Sequence, residues 1–375
     1  MLDNEVGIWE SLSFAHKIRE FRVAFKTLFR EQAGADPPHE AFVSWFLSTC
    51  SSGRRDIESE NIHLQISDYP SLDPLQYAFS RSSCSSVSIL EAIETLSREL
   101  SRVWNNYSYS MVNRDWITAT VEGESVRISY PEDDINHPTP HDVLEHLTRT
   151  HRGGCRAADI AVLYHKYDAL FGFSNGEGRG WHLTIPDEFY YILIKRFNLS
   201  CELFASPINR RSPYYFSLFA SDSAFGSLGN FFSAPTNFTD FKSLFGDPPS
   251  LTVEANPPFQ PLVMMRFAVR ILELIKAADA CDYCLLCVVV FPNWSACDPV
   301  QLLFSTPYLL HSIKLDKGTH KYKPGWGDIV SYEADRAYWE RSESLVLFLG
   351  SAKARLSYSI DDELESRMRQ SWCNN

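Results

Sequence analysis

Apolar residues recur at two different spacings along the chain, and the spacing changes near residue 175. In the first part the period is close to 3.6 residues, which predicts amphipathic helices. The clearest series is Phe14, Ile18, Phe21, Phe25 and Phe29. The same period recurs over residues 86–104 and on both sides of Gly153, so this part is predicted to be mainly helical.

A different pattern interrupts these helices between residues 115 and 140. Polar and apolar residues alternate over 115–130, and a turn is predicted at Glu122 and Gly123, which indicates a β-hairpin. The next stretch, PEDDINHPTP over 131–140, is rich in proline and acidic residues. We expect it to be a linker.

Beyond residue 175, short apolar runs alternate with helical patterns. Helices are predicted over 185–199, where Pro186 lies in the first turn, and over 261–278. Strands are predicted over 200–206, 250–255, 284–291 and 344–350. This alternation is typical of a doubly wound α/β sheet. We therefore expect a mainly helical domain over 1–150 and an α/β domain over 151–375.

Composition narrows the class of protein. Of 375 residues, 45% are hydrophobic and 22% charged, which is typical of a globular chain. The longest apolar run, 285–291, is too short to cross a membrane, and the start of the chain has no signal-peptide pattern. Nine cysteines without a framework indicate free thiols in a reducing compartment.

The net charge of −12 argues against a non-specific nucleic-acid binder, although it leaves room for one local basic groove. The best candidate for such a groove is 314–326, KLDKGTHKYKPGW, where lysines alternate with aromatic residues. That combination suits a nucleotide chain, and a solvated loop is the alternative.

No metal site is expected. Cys281, Cys284 and Cys287 lack a second cysteine pair and run into an apolar strand, which favours buried thiols. The histidines between residues 137 and 151 are unevenly spaced.

The stretch with the clearest chemistry is Asn256-Pro257-Pro258-Phe259, which follows a predicted strand. Two adjacent prolines can continue neither a central strand nor a helix, so they form a stiff corner. The Asn256 side-chain oxygen and the Pro257 carbonyl can each accept a hydrogen from an exocyclic amine, while Phe259 can stack on a base. These are the needs of methylating an exocyclic amine of a base, and an ordinary structural turn is the alternative. The stretch 246–251, GDPPSL, has two prolines without the aromatic residue and is expected to be a loop.

A methyl donor needs a site on an earlier strand. We expect it at 201–209, CELFASPIN, with Glu202 near the start of a strand and a tight exit of small residues. The loop 224–232, AFGSLGNFF, is a weaker candidate.

Taken in order, ELFASPIN, FGSLG, VEANPPF, VVVFPNW, HKYKPG and SLVLFLG resemble the methyltransferase domain of the phosphorylated-CTD-interacting-factor family over about residues 160–350. The resemblance implies a Rossmann-like S-adenosylmethionine-dependent methyltransferase core behind an N-terminal, mainly helical domain. It implies N6 methylation of the adenosine next to the 5′ cap of mRNA, and no structural metal or membrane. A nuclear location is implied, with the cytoplasm as the alternative.

The resemblance also assigns residues. The catalytic residues are Asn256, Pro257, Pro258 and Phe259. The cofactor-binding residues are Glu202, Phe204, Ala205, Ser206, Pro207, Asn209, Phe225, Gly226 and Ser227. The substrate-binding residues are Trp294, His320, Lys321 and Tyr322.

Two departures from the family pattern are visible. Paired tryptophans at the spacing of a WW domain are absent, and Leu228 stands where a polar or basic residue is expected. The alternative functions are a DNA or internal-RNA adenine methyltransferase and a catalytically idle RNA-binding scaffold.

Overall fold

A computed structural model describes residues 2–50, 74–80, 89–106, 118–122, 125–129, 134–138, 141–153, 157–172, 180–323, 338–339 and 342–373. The chain divides into two compact units. The first comprises Met1–Trp181 with Phe219–Gly226, and the second comprises His182–Leu218 with Ser227–Asn375. The division lies after residue 181 rather than after 150, because the helix over 157–171 packs against the N-terminal helix of the first unit.

The first unit combines helices with a small antiparallel sheet. Its elements are α1 (Leu2–Ala33), α2 (Ala41–Cys50), α3 (Pro74–Ser80), α4 (Ile89–Asn106), β1 (Thr118–Glu122), β2 (Ser125–Ser129), β3 (Asp134–Pro138), α5 (His141–Thr150) and α6 (Ala157–Phe171). The helix predicted from the phenylalanine series is confirmed, since all five apolar residues are buried in α1. The predicted hairpin is confirmed by the pairing of β1 with β2.

The predicted linker over 131–140 is wrong in part, because β3 pairs with β2 as the third strand of the sheet. Its sequence, DINHP, has little strand propensity of its own, so the pairing depends on the free edge of β2.

The carboxyl end of α6 is held by a side chain from α1. The Arg22 guanidinium donates to the carbonyls of Ala169, Leu170 and Phe171 at 3.1–3.4 Å and is buried. These carbonyls lack partners within the helix, so Arg22 satisfies them. Gly172 follows with φ of +73°, and a Cβ there would meet the guanidinium at 2.7 Å.

The second unit contains a six-stranded sheet in the order β5-β4-β6-β7-β11-β8. Its elements are α7 (Asp187–Phe197), β4 (Leu199–Glu202), β5 (Tyr214–Tyr215), α8 (Phe238–Ser243), β6 (Ser250–Ala255), α9 (Pro261–Ala280), β7 (Cys284–Pro292), α10 (Asp298–Ser305), β8 (Leu309–Leu315), β9 (Lys321–Tyr322), β10 (Tyr338–Trp339), β11 (Ser344–Gly350), α12 (Ala352–Ser357) and α13 (Asp362–Ser371). Strands β5, β4, β6 and β7 are parallel, and β11 runs antiparallel to both β7 and β8. The expected α/β core is confirmed, with one reversed strand that the pattern did not predict.

Both faces of the sheet are covered, and β7 shows this most clearly. Its alternate residues Leu285, Cys287, Val289 and Phe291 pack into a cluster with α9 and several phenylalanines. The residues between them pack into a second cluster with α7 and Trp372. A strand buried on both faces has no polar positions, which explains the continuous apolar run.

Candidate active site

Three of the segments singled out by the sequence follow neighbouring parallel strands. They begin after β4, β6 and β7, at residues 203, 256 and 293. The register pairs Glu202 with Glu254 and Ala255 with Val289, so these strands end at one edge of the sheet. The carboxyl edge of a parallel sheet is where α/β proteins bind ligands.

Asn256 is the first residue after β6, and its amide is oriented by a backbone group. The Asn256 Nδ2 donates to the carbonyl oxygen of Leu183 at 3.1 Å. A carbonyl only accepts, so the NH2 end must face it. The Asn256 Oδ1 is buried and has no hydrogen-bond partner among the described residues. A buried acceptor without a partner costs free energy unless a ligand donates to it, which is the property expected of an amine-binding group.

The rest of the corner leads directly into α9. Pro257 is buried, and the Pro258 carbonyl accepts from the Gln260 N–H at 2.7 Å. The Gln260 side chain caps α9 by accepting from the Val263 N–H at 2.8 Å. The prolines and this cap hold the corner rigid between a strand and a long helix.

The Phe259 ring is half-buried and rests against a second ring. Its centroid lies 6.0 Å from that of Tyr322, and the two planes meet at 72°. This edge-to-face contact stabilises the orientation of the Phe259 ring.

A short segment that sequence reasoning missed joins three predicted parts of the site. We call residues 183–187 the strap. Leu183 binds Asn256 through its carbonyl, Thr184 exchanges two backbone hydrogen bonds of 2.9 Å with Lys323, and the Ile185 carbonyl accepts from Arg211 at 3.0 Å. No local pattern marks the strap, because its contacts are made by backbone groups to residues distant in sequence.

Asp187, the last residue of the strap, forms two ion pairs. Its carboxylate accepts from Arg211 at 2.9 Å and from Lys323 at 2.8 Å. Burial alone would raise the pKa of Asp187, but Lys323 and Arg211 together hold it below its ordinary value. Asp187 thereby connects the segment after β4 with the lysine-rich segment.

The turn after β4 is closed by its own side chains. The Asn209 Oδ1 accepts from the Ser206 backbone N–H at 2.7 Å and from the Ser206 hydroxyl at 3.0 Å. Ser206 and Pro207 are buried and Ala205 is half-buried, so small groups line the turn. The Phe204 ring packs among other phenylalanines. This compact backbone turn fits the close approach that a nucleoside-containing cofactor requires.

Glu202 ends β4, whereas the sequence analysis expected it near the strand's start. The strand begins at Leu199, directly after Asn198, which closes α7 in the left-handed region with φ of 54°. The Glu202 carboxylate accepts from the backbone N–H groups of Arg211 and Ser212, both at 2.7 Å. Its carboxylate therefore holds the segment that carries Arg211.

Glu254 is a second buried carboxyl group at this edge, and sequence reasoning did not single it out. Its Oε1 is buried with no hydrogen-bond partner among the described residues. Burial and the neighbouring charge of Glu202 raise the pKa of Glu254 well above its ordinary value. Burial also raises the pKa of Glu202, against the opposing effect of Arg211. The only sequence signal was an acidic residue inside an apolar strand.

The glycine loop is shared between the units. Phe225 and Gly226 belong to the first unit, where the Phe225 ring lies edge-on to His151 at 4.9 Å. Ser227 belongs to the second unit, and its hydroxyl contacts that of Ser217 at 2.6 Å. Each residue is thus packed within its own unit, and their cofactor-binding role stays a prediction.

The predicted substrate-binding residues differ in exposure. Trp294 follows β7 and is 37% exposed, whereas His320 and Tyr322 are almost fully buried. His320 and Tyr322 both bond to the Ser344 hydroxyl, at 2.8 and 2.9 Å. Tyr322 supports the Phe259 ring, and the RNA-binding role of His320 and Tyr322 stays a prediction. Lys321, between them, is half-buried.

Within the described residues, no group of three or more acidic, histidine or cysteine side chains is arranged to hold a metal. Cys284 and Cys287 point to opposite faces of the sheet, so their thiols cannot bind the same metal ion. Nor does any helix in the described ranges have the length and apolar character needed to cross a bilayer.

Comparison with known proteins identifies a family model and curated relatives. Residues 148–325 match the family model described as "Phosphorylated CTD interacting factor 1 WW domain". A human protein named mRNA (2′-O-methyladenosine-N(6)-)-methyltransferase is 29% identical over 219 residues. The mouse protein of the same name is 28% identical over 194 residues.

Over residues 148–325 the chain is similar to the phosphorylated CTD interacting factor family. The resemblance stated from the motifs is thereby confirmed. The matched residues begin near the end of α5, and they include the corner at Asn256 and the Lys323 that binds the strap.

The chain spans under a third of each relative's length. The human match covers 56% of this chain and 29% of that protein, and the mouse match covers 51% and 25%. Although the family model carries the words "WW domain", the described residues that match it here form helices and five strands of the six-stranded sheet.

Proposed function

We propose that this chain is an S-adenosylmethionine-dependent RNA methyltransferase that modifies the N6 amine of the adenosine next to the mRNA 5′ cap. The observation that carries the proposal is the unpaired Asn256 Oδ1, oriented by the Leu183 carbonyl at the carboxyl edge of the sheet. The names of the human and mouse relatives support the choice of mRNA and of N6.

The corner's role follows from the chemistry of an aromatic amine. The lone pair of such an amine is delocalised into the ring, so the nitrogen is a poor nucleophile until it becomes tetrahedral. Asn256 Oδ1 accepts one amine hydrogen and the Pro257 carbonyl accepts the other. Both acceptors are fixed before the reaction, so they favour the tetrahedral geometry without reorganising.

Phe259 stacks on the adenine and is held by Tyr322, so the base enters a site of defined orientation. In a single-stranded 5′ end, moving the base into the site costs little stacking energy. Trp294, which is exposed after β7, is positioned for a further stacking contact.

The residues after β4 fit the cofactor. When bound, S-adenosylmethionine supplies an activated methyl group, so no metal or strong base is required. Ala205, Ser206 and Asn209 would hold it at the compact turn, and Glu202 keeps that turn in place. The two buried carboxyl groups at this edge match the positive charge of this cofactor.

The test uses labelled methyl donor with matched capped and uncapped RNAs that begin with adenosine. After digestion, mass spectrometry identifies the methylated nucleoside. We expect N6-methylated adenosine from the capped RNA. In the Asn256→Ala variant we expect turnover to be lost and cofactor affinity to be nearly unchanged.

The same experiment separates the alternatives. Equal labelling of uncapped RNA, or labelling of a DNA strand, would indicate an internal-RNA or DNA adenine methyltransferase. Binding of capped RNA with no affinity for S-adenosylmethionine would indicate the RNA-binding scaffold and would contradict the proposal.

A further inference from the structure

Glu254 is a buried acid that the corner chemistry above does not use. Leu251, Val253 and Ala255 point into the phenylalanine-rich cluster on one face of the sheet. Side chains alternate along a strand, so Glu254 points to the opposite face. The Asn256 amide contacts Leu183, which packs against the cluster on that same face. Two residues of strand place Glu254 and Asn256 about 6.6 Å apart along the chain.

The immediate surroundings of Glu254 are short of positive charge. The acidic neighbours on its own face are Glu202 on β4 and the Tyr190 phenol on α7. The thiols of Cys201 and Cys287 also interact with it electrostatically, but they lie on the other face of the sheet. Among the described residues, Arg211 is the one cation that acts on Glu254, whereas both Arg210 and Arg211 act on Glu202.

Arg211 is already bound elsewhere. Its guanidinium pairs with Asp187 at 2.9 Å, donates to the Ile185 carbonyl at 3.0 Å, and lies 4.0 Å above the Tyr190 ring. Glu202 further engages two backbone N–H groups of the same segment. Glu254 has no such partners, since its buried Oε1 is unpaired.

We propose, on the basis of the function proposed above, that Glu254 is the counter-ion of the positively charged methyl donor and ionises when that cofactor binds. Its position below Asn256, on the same face of the sheet, puts it on the side of the corner where the donor's charge must lie for methyl transfer. An ionised carboxylate without a partner is costly to bury, so Glu254 retains its proton until a cation arrives. Cofactor binding then releases that proton to solvent.

The cofactor carries two cations, the sulfonium and the α-ammonium. S-adenosylhomocysteine keeps the ammonium and lacks the sulfonium charge, so it distinguishes them. If Glu254 faces the sulfonium, only S-adenosylmethionine will release a proton. If it faces the ammonium, both compounds will do so.

The experiment is calorimetric titration of the full chain with S-adenosylmethionine in buffers of different ionisation enthalpy at one pH. This measures the number of protons released. We expect the wild type to release up to one proton more than Glu254→Gln, and the variant to bind about tenfold more weakly, because an adjacent opposite charge changes such an equilibrium by roughly one to three powers of ten. Glu254→Asp, which keeps the charge, should partly restore both values.

Glu273→Gln is the matched control, because it removes an exposed carboxylate from α9 in the same unit. It should bind and release protons as the wild type does. Circular dichroism and thermal unfolding establish that each variant is folded. If Glu254→Gln does not fold, the proposal is tested by Glu254→Asp and by the number of protons that the wild type releases on binding.

The experiment distinguishes failure of the counter-ion proposal from failure of the proposed function. Wild-type binding with no net proton release, together with unchanged affinity in Glu254→Gln, would overturn the counter-ion and leave the methyltransferase intact. Absence of any binding by the wild type would overturn the proposed function itself.

Discussion

The Asn256 side chain donates its amide N–H to the backbone carbonyl of Leu183 at 3.1 Å, which leaves its oxygen as an unpaired buried acceptor. A backbone carbonyl that is 73 residues away along the chain thus orients the residue proposed to be catalytic. Asparagine is suited to this position because it carries a donor and an acceptor at once.

The Asn256→Asp substitution should therefore lower methylation activity, although aspartate has nearly the same shape as asparagine. A carboxylate would face the Leu183 carbonyl with no hydrogen to donate, whereas a protonated carboxyl group would regain that bond. We expect methylation to fall by about a hundredfold at neutral pH, in the range seen when one transition-state hydrogen bond is removed. Activity of the variant relative to wild type should recover as pH falls. Equal activity of the two enzymes across pH would show that the Leu183 bond does not orient the amide.

Tyr322→Phe tests whether the buried Tyr322 supports Phe259 or touches RNA. The variant keeps the ring against Phe259 and loses the hydroxyl that bonds to Ser344 at 2.9 Å. We expect a loss of about 1 kcal/mol of stability, the usual contribution of one hydrogen bond, with the RNA dissociation constant unchanged. Ser344→Ala removes this bond and also the 2.8 Å bond to His320, so it should cost more stability and likewise leave the RNA dissociation constant unchanged. A weaker RNA complex in Tyr322→Phe alone would support the direct contact predicted from the sequence.

The raised pKa of Glu254 predicts a stability that falls with rising pH. Above the ordinary pKa of 4.5, the unfolded chain releases this proton while the folded chain, whose pKa is higher, retains it. Unfolding is therefore favoured increasingly as pH rises from 4.5 towards the folded pKa. Glu254→Gln lacks this proton, so its stability relative to wild type should increase between pH 5 and pH 8 in urea unfolding. An unchanged difference over that range would contradict the assignment, and Glu273→Gln provides the control.

The buried His182 predicts the opposite dependence of stability on pH, namely a loss of stability as the pH falls below 6.5. Burial lowers the pKa of His182 from 6.5 to about 3. Between these values the unfolded chain binds a proton that the folded chain does not, so stability should fall as pH drops from 6.5. Thermal unfolding of His182→Gln should show a shallower loss between pH 6.5 and pH 4. Replacement of the exposed His141 by Gln should leave the wild-type slope, and a similar change in both variants would refute the role of His182.

Arg22→Ala should destabilise the first unit. The buried guanidinium holds three carbonyls at the end of α6, and hydrogen bonds of a charged group contribute about 1.5–3 kcal/mol. We expect a loss of about 2–3 kcal/mol in denaturant unfolding. Arg30→Ala on the same helix removes an exposed pair with Asp36 and should cost under about 1 kcal/mol. Equal effects of the two substitutions would exclude the capping role of Arg22.

The local sequence pattern was sufficient to predict a helix or strand wherever that element's own residues show which of its faces are buried. The phenylalanine period predicted α1, and the all-apolar run predicted β7, because a single periodicity reports which faces are buried. Local patterns failed for β3, whose residues form a strand only because β2 offers an edge. The reversed direction of β11 was also invisible, since an apolar run does not encode its orientation.

By itself the sequence determined the α/β core, the stiff Asn256–Phe259 corner and the resemblance to the family, because these depend on residue types at close spacing. The tertiary structure alone decided which end of the Asn256 amide is available, that Tyr322 lies buried behind Phe259, and that Glu254 and Glu202 are neighbours. Each of these is a contact between residues far apart along the chain, and such contacts are set by how strands and loops pack rather than by local propensity.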